Sequence, residues 1–299
     1  MLAPILNATA TNITFVLNSK SKNQDQTPYD ILTTIIGGMA VILNGLLLIA
    51  MIRNASEIFT SNGAYLVANV AIADLLTGLN SSLWGIKNSF MFSKRLKIAS
   101  FSIFWTSIEA SFLTIFIMSL ERYIAILHPF KANLWLSKTR TIQSCILTWI
   151  LSGLCGLCMA FYTETAPLFL ALFFEITILV TCFLYYKIFI KLAERRQCLP
   201  LQLSSNHGNS DLQREYQLTT VVAVLTMILI VTVLPYMIAG QISVATKNNP
   251  SLKLFIHYYF PVELTNFLLN PVVYALRLPK YRHAILKTLR GCQTIEQYD

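Results

Sequence analysis

Residues 101–123 read FSIFWTSIEASFLTIFIMSLERY. Phe101 to Leu120 is strongly apolar, and as a helix it is long enough to cross roughly 30 Å of hydrocarbon. It ends on an acid, a permanently charged arginine and a tyrosine, Glu121-Arg122-Tyr123. A charge group placed at a membrane face is either a topological anchor or a moving part, and the rest of the chain has to separate the two.

The whole chain shares this apolar character. Of its 299 residues 55% are hydrophobic and only 12% charged, far from the balance of a soluble domain. Seven stretches of about twenty residues qualify as spans: Ile31–Ile52, Ala64–Leu83, Ile98–Leu120, Ile142–Phe161, Leu168–Ile190, Leu218–Ala239 and Leu254–Ala275. The second carries Asp74, and the seventh carries Glu263 and two prolines. Most basic residues fall in the connections on one side, among them Arg53, Lys131, Lys138, Arg140, Lys187, Lys191, Arg195 and Lys280. The positive-inside bias makes that side cytoplasmic and puts the N-terminus outside. The expected organisation is an extracellular tail over 1–30, a seven-span domain over 31–276 and a cytoplasmic segment over 277–299. Asn7 and Asn12 lie in glycosylation sequons of the tail, whereas the sequon at Asn54 falls on the inner side. Met1–Leu6 lacks the features of a cleaved signal, so the first span is expected to direct export.

The connections are short, which predicts one helical bundle. The longest, Lys191–Tyr216, contains Pro200 and Gly208 and reads as a flexible inner loop whose ends extend the flanking helices. Lys280–Arg290 alternates basic and apolar residues, the pattern of a helix lying at the inner interface; Cys292 just beyond it is a palmitoylation candidate. Cys155 and Cys158 have metal-pair spacing but lie inside an apolar helix without a partner pair, so they read as packing residues. Phosphate loops, catalytic arrays and inverted repeats are missing from the sequence. The +9 charge is membrane-proximal and does not indicate nucleic-acid binding.

Asn270-Pro271-Val272-Val273-Tyr274 closes the seventh span. Together with Glu121-Arg122-Tyr123, in this order across seven spans, it resembles the signature of rhodopsin-like (class A) G-protein-coupled receptors. The resemblance covers residues 31–292 and implies an all-α seven-transmembrane-helix bundle with a short amphipathic helix on the cytoplasmic side. It implies that Asp74, Ser111, Asn266 and Asn270 form a sodium site, with Asn44 joining the polar network. It also implies a switch in which Arg122 exchanges Glu121 or Glu215 for a site facing a G protein; as residues alone, both acids read equally as interfacial charges. Phe130 matches the apolar docking residue of the second inner loop, and Tyr123 completes the arginine motif. Tyr186 and Tyr274 match tyrosines that approach one another on activation, Trp149 a packing or lipid-facing anchor, and Pro235 and Pro271 the helix bends.

Other positions depart from the pattern. Leu229, Thr232 and Val233 stand where phenylalanine, cysteine and tryptophan are usual; Lys97 replaces a disulfide cysteine, and the fifth span has no proline. These departures resemble the melanocortin, adenosine, cannabinoid and lysophospholipid group. Phe104 replaces the aspartate of amine receptors and Leu264 the lysine of opsins. The expected ligand pocket lies between the third, fifth, sixth and seventh spans. It is lined by Phe101, Phe104, Trp105, Ile108, Phe173, Phe174, Tyr236, Gln241, His257 and Phe260, with the carboxylates Glu109, Glu175 and Glu263. Several of these also read as lipid-facing or core residues.

The expectation is a plasma-membrane receptor without catalytic residues that passes an unidentified extracellular signal to a heterotrimeric G protein, with substantial basal coupling allowed by the altered sixth span. The alternative is a signalling-silent seven-helix membrane protein that modulates another receptor. Membrane lipids, arrestin and a second receptor copy are further expected partners, and sodium is the one cofactor-like ion expected.

Overall fold

Local signals set where the helices begin. Ser93 and Ser137 each accept a hydrogen bond from a backbone N–H three residues on, at 3.3 Å, and Asn249, just before Pro250, accepts from the N–H of Ser251, two residues on, at 2.9 Å. These caps satisfy donors that a helix start leaves unpaired. The computed structural model describes residues 26–85, 93–162, 165–198, 206–246 and 249–295, and among the described residues all regular structure is helical. The helices are α1 Gln26–Arg53, α2 Ala55–Ile58, α3 Gly63–Gly85, α4 Lys94–Leu127, α5 Pro129–Trp135, α6 Lys138–Phe161, α7 Ala166–Cys198, α8 Asn206–Ala245, α9 Pro250–Arg277 and α10 Pro279–Ile295.

Six of them (α1, α3, α4, α6, α7 and α8) are long and apolar enough to cross a membrane. The expected seventh span, α9, has the length at 28 residues but not the hydropathy. It carries Lys253, His257, Glu263, Asn266 and Asn270, and the last three are buried. It packs against α1, α3 and α8 and closes the ring of a seven-helix bundle. The middle is taken by α4, which touches α3, α6, α7 and α8.

Small residues set the closest crossings, as expected where lipid and protein interior are equally apolar. A Cβ on Gly37 of α1 would stand 2.8 Å from the Gly78 carbonyl oxygen, and one on Gly78 of α3 would stand 2.8 Å from that of Gly37. On α6, a Cβ at Gly156 would lie 2.5 Å from the Ser102 carbonyl oxygen of α4 and run into the Thr106 hydroxyl.

The longest connection is helical at both ends, as expected, and more of it is helix on the α8 side than its composition suggested, while 199–205 lie outside the described residues. At about 1.5 Å per residue, the 33 residues of α7 and 40 of α8 outrun the hydrocarbon and project past Arg122. The Arg195 guanidinium of α7 donates to the Ile126 carbonyl of α4 at 2.7 Å, fastening one projection to the bundle. The amphipathic α10 buries Tyr281, Ala284 and Thr288, at helical spacing. Lys280 Nζ donates to the Ile58 carbonyl and to Thr60 Oγ1, Lys287 pairs with Glu57 at 3.1 Å, and Asn54 Nδ2 donates to the Ala284 carbonyl at 3.4 Å. Asn54 is thus a buried structural amide, which removes it as a glycan acceptor.

Candidate functional site

A carboxyl group in an apolar bundle is costly unless its oxygens are satisfied. Asp74 of α3 is fully buried and is met from two sides: Ser111 Oγ of α4 donates to Oδ1 at 2.6 Å, and Asn270 Nδ2 of α9 donates to Oδ2 at 2.7 Å. Asn44 of α1 donates to the carbonyls of Ala40 and Phe267, both at 2.9 Å. The Asn44, Asn266 and Asn270 side-chain oxygens are buried without a hydrogen-bond partner. One carboxylate, one hydroxyl and unspent amide oxygens are the donor set that a hard cation takes, so the residues present fit a sodium ion. Of the five network residues, Asp74, Ser111 and Asn270 are joined directly; Asn44 ties α1 to α9.

At the far end of α4 the guanidinium of Arg122 lies 3.3 Å from Glu121, with side chains only 15% and 8% exposed. The adjacent acid is therefore the observed partner of Arg122. Glu215 falls within α8, but its side chain lies outside the described residues, as do the Cys292 side chain and all of Asn7 and Asn12. Phe130, on the short α5 held beside this end, is 95% exposed. Tyr123 meets His128 edge-on, with ring centroids 5.9 Å apart. Tyr274 is buried in the core between Met118, whose sulfur it approaches at 3.9 Å, and Tyr281. Tyr186 requires correction: it is 62% exposed on the outside of α7, while Tyr185 points inward and shares a hydrogen bond with Ser119 at 3.3 Å. Adjacent residues on a helix differ by about 100° in direction, so only one of the pair can face the core.

The opposite end is aromatic. Phe104, Phe260 and Tyr236 pack with ring centroids about 6 Å apart, and Trp105 sets its edge against Phe104 and Phe101. Ile108 is buried among them. Glu175 accepts from Gln241 Nε2 at 3.0 Å, joining α7 to α8. Glu109 and Glu263 are fully buried, and their oxygens have no hydrogen-bond partner. One expected lining residue faces elsewhere. Phe173 is exposed on the outer surface of α7, while its neighbour Phe174 packs on Phe112; His257 stacks at 3.9 Å on Tyr29 of α1, which in turn packs against Phe260. Val233 is buried in a purely apolar cluster with Phe112, Phe174 and Leu229.

Sequence reasoning missed three connections. Trp149, expected as a packing or lipid-facing anchor, packs and also links helices: its indole donates to Asn69 Oδ1 at 2.9 Å, and the Asn69 amide reaches Thr114 and Thr148. Thr77 donates to Ser107 at 2.8 Å. Tyr259 of α9 donates to the Val231 carbonyl of α8 at 2.8 Å. That carbonyl is four residues before Pro235, where the proline has no N–H to offer it. The available signal was the polar residue itself, out of place in an apolar helix.

A family model described as 7 transmembrane receptor (rhodopsin family) matches residues 43–168. Melanocortin receptor 3 of Homo sapiens is 20% identical over 275 residues, covering 86% of this chain and 84% of that receptor. Type-1 angiotensin II receptor B of Rattus norvegicus is 31% identical over 124 residues, 40% of this chain and 33% of that receptor. Gastrin/cholecystokinin type B receptor of Canis lupus familiaris is 28% identical over 125 residues, 40% of this chain and 27% of that receptor. The chain thus spans most of the first relative and a third or less of the other two.

Proposed function

We propose that the chain, which resembles the rhodopsin family of seven-transmembrane receptors, relays an extracellular signal to a heterotrimeric G protein. The supporting observation is the state of Arg122: a nearly buried guanidinium held by its own neighbour Glu121 at 3.3 Å, at the end where Phe130 projects. Release of that cation exposes a charged, planar donor beside an apolar docking side chain. The movement that releases it is a swing of α8 about Pro235, since a proline-broken helix bends where its backbone bond is missing. The long inner arms of α7 and α8 give that swing its reach. In this reading the Arg122 end is cytoplasmic, the N-terminal tail is outside and carries glycans at Asn7 and Asn12, and Cys292 carries an acyl chain. The ligand enters at the aromatic end around Phe104, Tyr236 and Phe260.

Asp74 sets the resting state. Sodium, when bound, supplies positive charge to a carboxylate that otherwise has only Ser111 and Asn270. Those two residues come from α4 and α9, so the triad holds both helices to α3. A tighter arrangement of these helices would couple the Asp74–Ser111–Asn270 triad to Tyr274, one turn beyond Asn270.

The test is nucleotide exchange on a panel of G proteins by the full chain in nanodiscs. Wild type should stimulate exchange, Arg122→Ala should abolish it, Glu121→Gln should raise it, and Asp74→Asn should remove its sodium dependence. Exchange unaffected by Arg122→Ala sinks the proposed switch. No exchange with any G protein, basally or across a broad ligand screen, favours the signalling-silent alternative, which the apolar packing around Val233 permits.

A further inference from the structure

Where α4, α5 and α6 meet at the Arg122 end, a groove of about 420 Å³ opens on the outside of the bundle, lined by Ile124, Trp135, Arg140, Gln143, Ser144 and Leu147. Four of these form one stripe of α6, at positions i, i+3, i+4 and i+7. The neighbouring stripe, Thr141, Thr148 and Ser152, is buried, so the groove stripe borders the bundle and faces outward. It is graded along the helix. Arg140 lies in the first turn, and Trp135, 56% exposed, marks the level of a membrane interface. Leu147 lies about 10 Å deeper, where Ile146, Ile150, Leu151 and Leu154 are also exposed as a lipid-facing surface.

The charge is as directional as the shape. From Arg122 to Thr163 the sequence contains no acidic residue. Among the described residues Arg140 has no ion pair, whereas Arg122, Lys191 and Lys287 each have one. Lys138 is engaged over the Tyr65 ring at 5.3 Å, and the Ser144 hydroxyl is committed to the Arg140 carbonyl at 2.9 Å. What remains for a ligand is the guanidinium fork of Arg140 and the exposed amide of Gln143, with apolar walls below. We propose that this groove binds an anionic glycerophospholipid of the surrounding leaflet. Its phosphate sits on Arg140 and Gln143, and one acyl chain follows Ile124 and Leu147. A planar guanidinium suits a phosphate, and an interfacial basic pocket selects lipids by headgroup charge. The inference rests on the bundle spanning a membrane and is independent of signalling.

Native mass spectrometry of the delipidated full chain in detergent tests it, with phosphatidylserine, phosphatidylcholine or soluble glycerophosphate added at equal concentration. Wild type should retain one phosphatidylserine about fivefold better than phosphatidylcholine, the order expected for one basic residue at a membrane surface, and no glycerophosphate. Arg140→Gln should bring phosphatidylserine down to the phosphatidylcholine level, and Leu147→Ala should weaken both lipids. Lys131→Gln, outside the groove, should behave as wild type. Should Arg140→Gln fail to fold, Gln143→Ala carries the test, with reduced phosphatidylserine retention expected. Equal retention of the two lipids by wild type overturns the proposal. So does unchanged retention in the folded groove variants, equal loss in Lys131→Gln, or binding of glycerophosphate alone.

Discussion

Replacing Tyr259 by phenylalanine removes a single hydroxyl from the clasp between α9 and the proline bend of α8. The Val231 carbonyl would lose its 2.8 Å donor, and Pro235 leaves it no N–H within the helix. Hydrogen bonds between membrane helices are worth about 0.6 kcal/mol on average and at most about 1.7. If the clasp restrains the swing of α8, losing it raises the population of the open arrangement by roughly threefold to twentyfold, and basal nucleotide exchange by the same factor while that population is small. The control is a double-mutant cycle with Pro235→Ala, which restores an N–H to the Val231 carbonyl and makes the tyrosine redundant. Tyr259→Phe should raise basal exchange and lower thermal stability in the native background but do neither in Pro235→Ala. Equal effects in both backgrounds, or a fall in basal exchange, would refute the assignment of Tyr259 as a restraint on the bend.

Other substitutions separate neighbouring roles. Gly156→Ala should destabilise the bundle by about 1–3 kcal/mol through overpacking against α4, read by thermal denaturation in detergent; Gly153→Ala, whose new methyl meets nothing within 4 Å, should be neutral or stabilising. Tyr185→Phe should lower thermal stability by removing the bond to Ser119, and Tyr186→Phe should leave it unchanged. The Lys287–Glu57 pair is exposed, so Lys287→Ala should shift stability by less than about 0.5 kcal/mol. Asn54→Ala removes the buried amide that bridges the end of α1 to Ala284 and Thr288 of α10 and should cost about 1 kcal/mol; equal melting shifts for these two variants would contradict that contrast.

Span positions were legible in the sequence because hydrocarbon thickness fixes helix length. The buried polar residues were legible because Asp74, Ser111 and Asn270 are conspicuous in an apolar background. Helix facing was much harder to read. In water an apolar stripe identifies the buried side, but lipid is as apolar as the interior, so Phe173 and Phe174, or Tyr185 and Tyr186, look alike until a neighbouring helix selects one. The same ambiguity hid the link from Trp149 to Asn69. The extension of α7 and α8 beyond their apolar spans was legible in the sequence, but α8 begins at Asn206, earlier than the expected Asp211, because a helix once nucleated continues through Gly208 at small cost per residue.

The composition of α9 bears on how the chain is made. A charged residue at the centre of a span opposes insertion by about 2.5–3.5 kcal/mol, and α9 adds Asn266, Asn270 and internal prolines to Glu263. Presented alone to the export machinery it is a poor stop. Its polar face becomes acceptable only against α1, α3 and α8, all of which precede it in synthesis. The last span therefore joins the bilayer as a client of helices already in place, and a damaging substitution in α1 or α3 would show first as a chain whose C-terminal part is left on the wrong side of the membrane.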